Sequence, residues 1–554
     1  MFFKPTAKKL KAKAPLNVAL LAPIYNEDAA DVFGNVAAML SDLNQQPTEH
    51  TFDLYILSDT RDDSIAWQEE RAFITLLQKI DARQRVFYRR RQQNTDRKVG
   101  NLSEWMENYS GHYEGMLVLD ADSLMSANAI TRLTDALSAD PSAGLIQSCP
   151  VLFGANTLFG RVQQFSNRVY GAALAHGLAK WTDREGNYWG HNAILRTEAF
   201  AQSAGLPKVN GKLILSHDFV EAGLLRRAGW SVRFLPDIGG SYEEVPATLI
   251  DYFLRDRRWC QGNLQHLRLI KTRGFHAMSR FHLLSGAMGY LVSPAWFALL
   301  LIWALVVNGQ EMSAVAYFSG YDPQVSWPQL SNGNTTLIMV IIYGMLLAPK
   351  LIGVLSSRLS GLSIRDMGGP LQFAGSLVLE IFLSILYAPI MMVQQSVAVF
   401  RTLAGFNEHW VPQQRRGGSY SIFDIVKFHL LETLTGGLLL ALMFKGLVSW
   451  WLLPIAVSLF GATVLSALSA VDLQVRPWLS RQLGTPEVLN APVIIRTALA
   501  ERQHFREVLA NPDDAAFDMD QFLSRLPVIR VSDMLPVESS AADESDDSKS
   551  PASA

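Results

Sequence analysis

Met116-Leu-Val-Leu-Asp120-Ala-Asp122-Ser123 runs from a short apolar stretch directly into two carboxylates one residue apart. Apolar runs of this length, bounded by turn residues, read as buried strands. In extended chain residues i and i+2 point the same way, so Asp120 and Asp122 can face one ligand. A hard divalent cation bridging a diphosphate takes one or two protein carboxylates together with phosphate oxygens. Working outward, Val18-Ala-Leu-Leu-Ala-Pro23 and Phe52-Asp-Leu-Tyr-Ile-Leu-Ser-Asp59 repeat the pattern, with helix-like stretches between them. To about residue 282 the chain therefore predicts an α/β domain, a buried parallel sheet with crossover helices. Ligands of open α/β sheets bind outside the carboxyl ends of the strands, which singles out Asp59, Asp120 and Asp122. Position alone leaves two readings for each: Asp-x-Asp is common in surface loops, and Asp59 between Ser58 and Thr60 also suits a helix cap.

Of the 554 residues 49% are apolar, and 49 basic against 51 acidic side chains give a net charge of −2. That balance argues against a nucleic-acid partner, and two cysteines, Cys149 and Cys260, exclude a disulfide framework. The apolar residues cluster late. Residues 283–307 contain no charged side chain, and 335–354, 371–400, 428–444 and 447–470 are similarly apolar. A membrane-crossing helix needs about 20 such residues, so the lipid bilayer is an expected partner. Seven basic residues between Arg255 and Arg280 precede the first stretch, whereas 308–334 has none. By the positive-inside tendency the α/β domain is cytoplasmic and 308–334 lies outside. Arg401, Arg415, Arg416 and Lys427 stay inside if 371–400 is interfacial or re-entrant, as Glu380 and Gln394-Gln395 also suit. Four spans then leave both ends cytoplasmic. The expected division is a basic leader 1–14, the α/β domain 15–282, membrane helices 283–470 with a cytoplasmic loop 401–427, and a tail 471–554 disordered from about 536.

Three further clusters carry chemistry, each with a plainer reading. Tyr88-Arg89-Arg90-Arg91 with Arg97-Lys98 is either a solvated basic face or a phosphate clamp. Asp218 in Ser216-His217-Asp218 either caps the helix-like run that follows or serves as a general base. Arg255-Asp-Arg257-Arg258-Trp259 is either juxtamembrane anchoring or a source of guanidinium charge and an aromatic face for a sugar.

The order of these residues, Asp59, Asp120-x-Asp122, His217-Asp218, Arg258-Trp259 and then apolar helices, resembles the processive family 2 glycosyltransferases. Pro23-Ile-Tyr-Asn-Glu-Asp28, Tyr188-Trp-Gly-His-Asn-Ala193, Leu215-Ser-His-Asp-Phe-Val-Glu221, Gly240-Ser-Tyr-Glu-Glu244 and Arg255-Asp-Arg-Arg-Trp-Cys-Gln-Gly-Asn263 narrow this. They are similar to the branch that builds the glucose backbone of osmoregulated periplasmic glucans in the inner membrane of Gram-negative bacteria. Arg255 stands where the wider family has Gln, and family members carry an extension and two spans before the catalytic domain. The resemblance implies a GT-A-type nucleotide-sugar-binding domain with a Rossmann-like mixed sheet, and an inverting transfer of glucose from UDP-glucose to a growing β-glucan acceptor, coupled to export. Asp120 and Asp122 would hold Mg²⁺ or Mn²⁺, with Asp59 and Lys98 fixing the nucleotide. His191 and Asn192 would touch substrate, Arg257 and Arg258 would meet the departing diphosphate, and Trp259 would stack on the acceptor. Asp218 would be the base, Trp410 to Arg416 a gate, and a periplasmic glucan-processing protein a partner. Rival readings are a cellulose- or hyaluronan-like synthase, a polyprenyl-phosphate sugar transferase, and a non-catalytic scaffold or transporter.

Overall fold

A computed structural model describes residues 12–81, 84–203, 213–309, 335–357, 361–406, 420–475 and 480–510. The first third alternates strand and helix: β1 (Asn17–Ile24), α1 (Ala29–Gln45), β2 (Thr51–Ser58), α2 (Asp63–Lys79), β3 (Arg85–Arg90), α3 (Arg97–Tyr109) and β4 (Gly115–Val118). The three apolar runs read from sequence are β1, β2 and β4, buried almost throughout because helices cover both sheet faces. The chain continues through β5 (Leu124–Met125), α4 (Ala127–Ala139), β6 (Ala143–Gln147), β7 (Val151–Phe153), α5 (Leu158–Ser166) and α6 (Ala172–Thr182). It then forms β8 (Ala193–Arg196), α7 (Thr197–Ser203), α8 (His217–Arg227), β9 (Ser231–Phe234) and β10 (Ser241–Glu244).

The main sheet has the order β3-β2-β1-β4-β8-β6-β9, and a small sheet has the order β5-β10-β7. The main sheet is mixed, as the GT-A expectation has it, and not wholly parallel, as the apolar runs alone suggested. β8 runs antiparallel to both β4 and β6, with Val118 opposite Ala193. An antiparallel strand begins where its neighbours end, so the residues just before β8 lie beside those just after β4. That one reversal brings 188–192 next to 120–122.

Helices follow: α9 (Leu249–His266), α10 (Ala277–Gly309), α11 (Thr335–Ser356), α12 (Pro370–Leu403), α13 (Ile422–Phe428), α14 (Leu430–Phe444), α15 (Leu453–Phe460), α16 (Ala462–Ser469), α17 (Pro486–Leu489) and α18 (Val493–Ala510). Among the described residues, Ala277–Ile302 and α12 are each long and apolar enough to cross a membrane. Two bent pairs, α13 with α14 and Trp450–Phe460 with α16, bring the number to four if each is one span. Residues 371–400 lie within one continuous 34-residue helix, about 50 Å long at 1.5 Å per residue.

The polar residues of α12 face protein. Glu380 is buried, with Lys350 Nζ at 2.5 Å, Ser384 Oγ at 2.7 Å and the Tyr170 hydroxyl donating at 2.7 Å. Gln394 accepts from Arg257, and Gln395 donates to Asp256, both on α9. α12 therefore joins the α/β domain to the apolar helices. The segment expected as a tail also folds back: α18 buries Ile494, Ile495, Ala498, Arg502 and Phe505, and the ring of Phe505 meets that of Phe33 on α1. The 310–334 loop, Trp410 to Arg416 and everything from 511 lie outside the described residues.

Candidate active site

Asp120 ends the extended run of β4, and Asp122 follows in a turn. The turn is closed by Ser123, whose N–H donates to Asp120 O (3.0 Å) and whose hydroxyl accepts from Asp120 N (2.8 Å). Lys98, in the first turn of α3, pairs with Asp120 Oδ1 and donates to Gly190 O at 2.8 Å. Burial works against the Lys98 charge, but Asp120 and Asp218 outweigh it and hold the ammonium above its usual range. His191 comes in from the loop before β8, with Nδ1 3.5 Å from Asp120 Oδ2 and Nε2 2.6 Å from Glu243 Oε2. Burial lowers its pKa, yet Asp120 and Glu243 together raise it to about 9. Gln147 braces that loop by donating to His191 O (2.9 Å) and accepting from Trp189 N (3.0 Å).

Asp218 lies in the first turn of α8, where a helix dipole favours an anion. It packs against Gly190, whose φ of +90° suits glycine and on which a Cβ would fall 2.7 Å from the Asp218 carboxyl carbon. His217 Nδ1 lies 3.2 Å from Asp218 Oδ1 and 2.9 Å from Glu221 Oε1, one turn on. Here too burial lowers the imidazole pKa, and Asp218 and Glu221 raise it to about 9. Lys98 and Gly190 thus stand between Asp120 and Asp218, and His191 adjoins Asp120.

Other expected residues lie differently. Asp59 is at the end of β2 as read, but it is 3% exposed and held by Arg91 in a two-pronged pair of 2.6 and 2.9 Å. The arginines of the basic run are tied to protein partners, Arg89 bonding Asn101 and pairing with Glu104 and Arg90 bonding Thr60 O and Asp63, whereas Lys98 stands at the crevice with Asp120. Asn192 is fully buried and donates to Ser241 Oγ and Tyr242 O, fastening the loop to β10. Arg257 donates to Gln394 at 2.8 Å and lies over the Phe428 ring, toward the apolar helices. Along α9 successive side chains point about 100° apart, and Arg255, unlike Arg257, faces the acidic crevice. Its guanidinium stacks on Trp259, and burial lowers its pKa against the upward pull of Glu243 and Asp122. Arg258 and Trp259 share this stretch of α9, with the Trp259 ring half exposed.

Sequence reasoning noted Arg255 in its cluster without giving it a contact in the site, and passed over Glu221 and Glu243. The quoted motifs contain all three, but only three-dimensional contact separates them from their neighbours.

The fold and this acidic strand-end site define a GT-A glycosyltransferase, and the comparisons agree. Residues 20–203 match Glycosyl transferase family 2, and residues 115–349 match Glycosyl transferase family group 2. "Glucans biosynthesis glucosyltransferase H" of Shewanella baltica (strain OS223) is 41% identical over 520 residues, covering 92% of this chain and 71% of that protein. The protein of the same name from Vibrio cholerae O395 is 41% identical over 534 residues, covering 92% and 74%. The chain belongs to the glucans biosynthesis glucosyltransferase H family, and is a hexosyltransferase. Among solved structures, the mannosyltransferase PcManGT from Pyrobaculum calidifontis in complex with GDP-Man and Mn²⁺ aligns at 15% identity and a TM-score of 0.42, over 64% of this chain and 90% of that one.

Proposed function

We propose that this chain transfers glucose from UDP-glucose to a hydroxyl of a growing β-glucan, with inversion, on the cytoplasmic face of an inner membrane, and passes the product outward. The observation that carries the reading is the meeting of Asp120, Lys98 and Asp218 at one crevice, with Lys98 paired to Asp120 and Asp218 packed on Gly190. A nucleotide-sugar displacement needs those three capacities together: negative charge for a cation, positive charge for phosphate, and a carboxylate for the attacking hydroxyl.

Asp120 and Asp122 fit a divalent cation. They offer hard oxygens at a partly open turn, and two cationic side chains, Lys98 and His191, already gather on Asp120. Bound there, Mg²⁺ or Mn²⁺ would neutralise the diphosphate and ease departure of UDP. Lys98 and Arg255 add point charge and guanidinium charge to the same leaving group, with Arg258 beside them. Asp218 takes the proton of the acceptor hydroxyl as it attacks, His217 lies beside that carboxylate at 3.2 Å, and Trp259 offers its exposed face to the acceptor sugar. Asp59, held by Arg91, forms the floor of the nucleoside end. The domain division, the cytoplasmic orientation and the interfacial or re-entrant placing of 371–400, whose polar residues face protein, belong to the same proposal.

The test is to incubate membranes containing the full chain with radiolabelled UDP-glucose and determine the linkage of the product. Polymeric β-glucan is expected; lipid-linked glucose, or no transfer at all, overturns the reading. Asp218→Asn should still bind UDP while synthesis falls by roughly 10²–10⁴.

A further inference from the structure

The C-terminal helix α18 lies against α1, behind the acidic turn. The two helices are close: a Cβ on Gly34 would fall 2.6 Å from the backbone N of Arg502. Arg502 itself is 4% exposed. Burying a guanidinium is costly unless its donors are used, and here two of its three nitrogens reach opposite sides of the site while Nη2 has no hydrogen-bond partner among the described residues. Nε donates to Asn35 Oδ1 at 2.9 Å, and Nη1 to Glu244 Oε1 at 2.6 Å. Asn35 carries the first contact onward, donating to Ser123 O at 3.3 Å, and Ser123 closes the turn that presents Asp120 and Asp122. Glu244 adjoins Glu243 on β10, which holds His191 against Asp120. Two chains of contacts from one side chain therefore converge on Asp120, one through the turn and one through the strand.

We propose that Arg502 is a positioning residue for the cation site, fixing Asn35 and β10 so that Asp120 and Asp122 are held at ligating distance. The proposal rests on the reading of those two carboxylates as metal ligands. Partners that touch metal ligands, here Ser123 and His191, typically carry a roughly 10–100-fold effect on metal affinity. Arg502 stands behind that layer, so this range bounds its effect, and an arginine fork can tie two separate acceptors in a way a single charge cannot.

Mn²⁺ binding by the full chain in detergent with saturating UDP, read from the electron paramagnetic resonance of free Mn²⁺, tests this directly. The variant is Arg502→Met with Glu244→Gln, which leaves no carboxylate buried alone. Mn²⁺ affinity should fall severalfold, with roughly 10–100-fold as the bound, while kcat at saturating Mn²⁺ stays near that of the unsubstituted protein. A general loss of packing would not separate the two quantities. Asn35→Ala removes both the Arg502 Nε contact and the link to Ser123 while leaving the Glu244 pair in place, and makes the same test if the double variant does not fold. Unchanged Mn²⁺ affinity in whichever of these folds overturns the role of Arg502. Unchanged affinity in Asp120→Asn/Asp122→Asn overturns the metal reading beneath it.

Discussion

The guanidinium of Arg255 sits over the indole of Trp259, 4.4 Å from the ring centroid, on the side of α9 that looks toward Asp122 and Glu243. A stacked guanidinium keeps its edge donors for an incoming anion while its face is already packed. Arg255→Met is therefore expected to lower kcat by roughly 10²–10³, the usual cost of removing one preorganised donor from developing charge. Arg257→Met, which cuts the contact with Gln394 on α12, should act mainly on thermal stability. Single-turnover rates and melting curves of the two variants, measured side by side, check the assignment; the opposite pattern would return the role to Arg257.

Lys98 shares Asp120 with the proposed cation and holds Gly190 O. Lys98→Met removes a charged contact to the donor diphosphate, worth roughly 1.5–3 kcal/mol. The apparent KM for UDP-glucose should rise about 10–100-fold by the same figure. Titration of UDP binding and of initial rates against UDP-glucose gives the answer, and an unaltered KM would remove Lys98 from donor recognition.

Gly190 leaves no room for a side chain beside Asp218. Gly190→Ala forces either the loop or the carboxylate to move, and it strains a φ of +90° as well. Glucan synthesis should drop toward the level of Asp218→Asn, with the roughly 10²–10⁴ loss of base assistance as the bound. UDP binding by calorimetry should persist. Full activity in a folded Gly190→Ala protein would show that Asp218 need not lie against this loop.

His217 links pH to both stability and rate. Its folded-state pKa of about 9 lies above the ordinary 6.5. The stabilisation from the imidazolium between Asp218 and Glu221 is therefore complete below pH about 6.5 and is lost as pH rises through about 9. The same deprotonation removes the positive charge beside the proposed base, so kcat should fall on an alkaline limb near pH 9. In His217→Gln the amide can still reach Glu221, but it does not titrate. Unfolding midpoints and rates from pH 6 to 10 should show the limb in the natural sequence and not in the variant.

The fold was legible where it depends on local pattern. β1, β2 and β4 are apolar runs ending in turn residues, and the 219–227 run is a helix because its acidic start and basic end suit the dipole. The antiparallel course of β8 was not legible from apolar runs, since Ala193-Ile-Leu reads the same in either direction; family resemblance supplied the mixed sheet. Site residues at strand ends, Asp59 and Asp120, fall where a strand must finish. Arg255 and Arg257 could not be told apart, because two residues on a helix differ in direction by about 200° while their chemistry is the same. Arg502 was invisible for a stronger reason: its partners Asn35 and Glu244 are hundreds of residues away, and only the docking of α18 on α1 unites them.

The junction of the two halves rests on Glu380 and Lys350, and it makes the last prediction. Glu380 is 1% exposed and receives Lys350, Ser384 and the hydroxyl of Tyr170, which belongs to the π-turn between α5 and α6. Lys350 also lies over the Tyr170 ring. Lys350→Met leaves a buried carboxylate without its cation, a change that costs about 3–5 kcal/mol, whereas removing both charges of such a pair is often neutral. Lys350→Met alone should therefore lower the melting temperature in detergent and expose the 158–182 helices to protease. Lys350→Met with Glu380→Gln should recover most of the loss, because the amide keeps hydrogen bonds to Ser384 and Tyr170 without a charge to compensate. If the double variant is as unstable as the single one, the ion pair itself, and not the avoidance of a lone buried charge, holds α11 and α12 to the α/β domain.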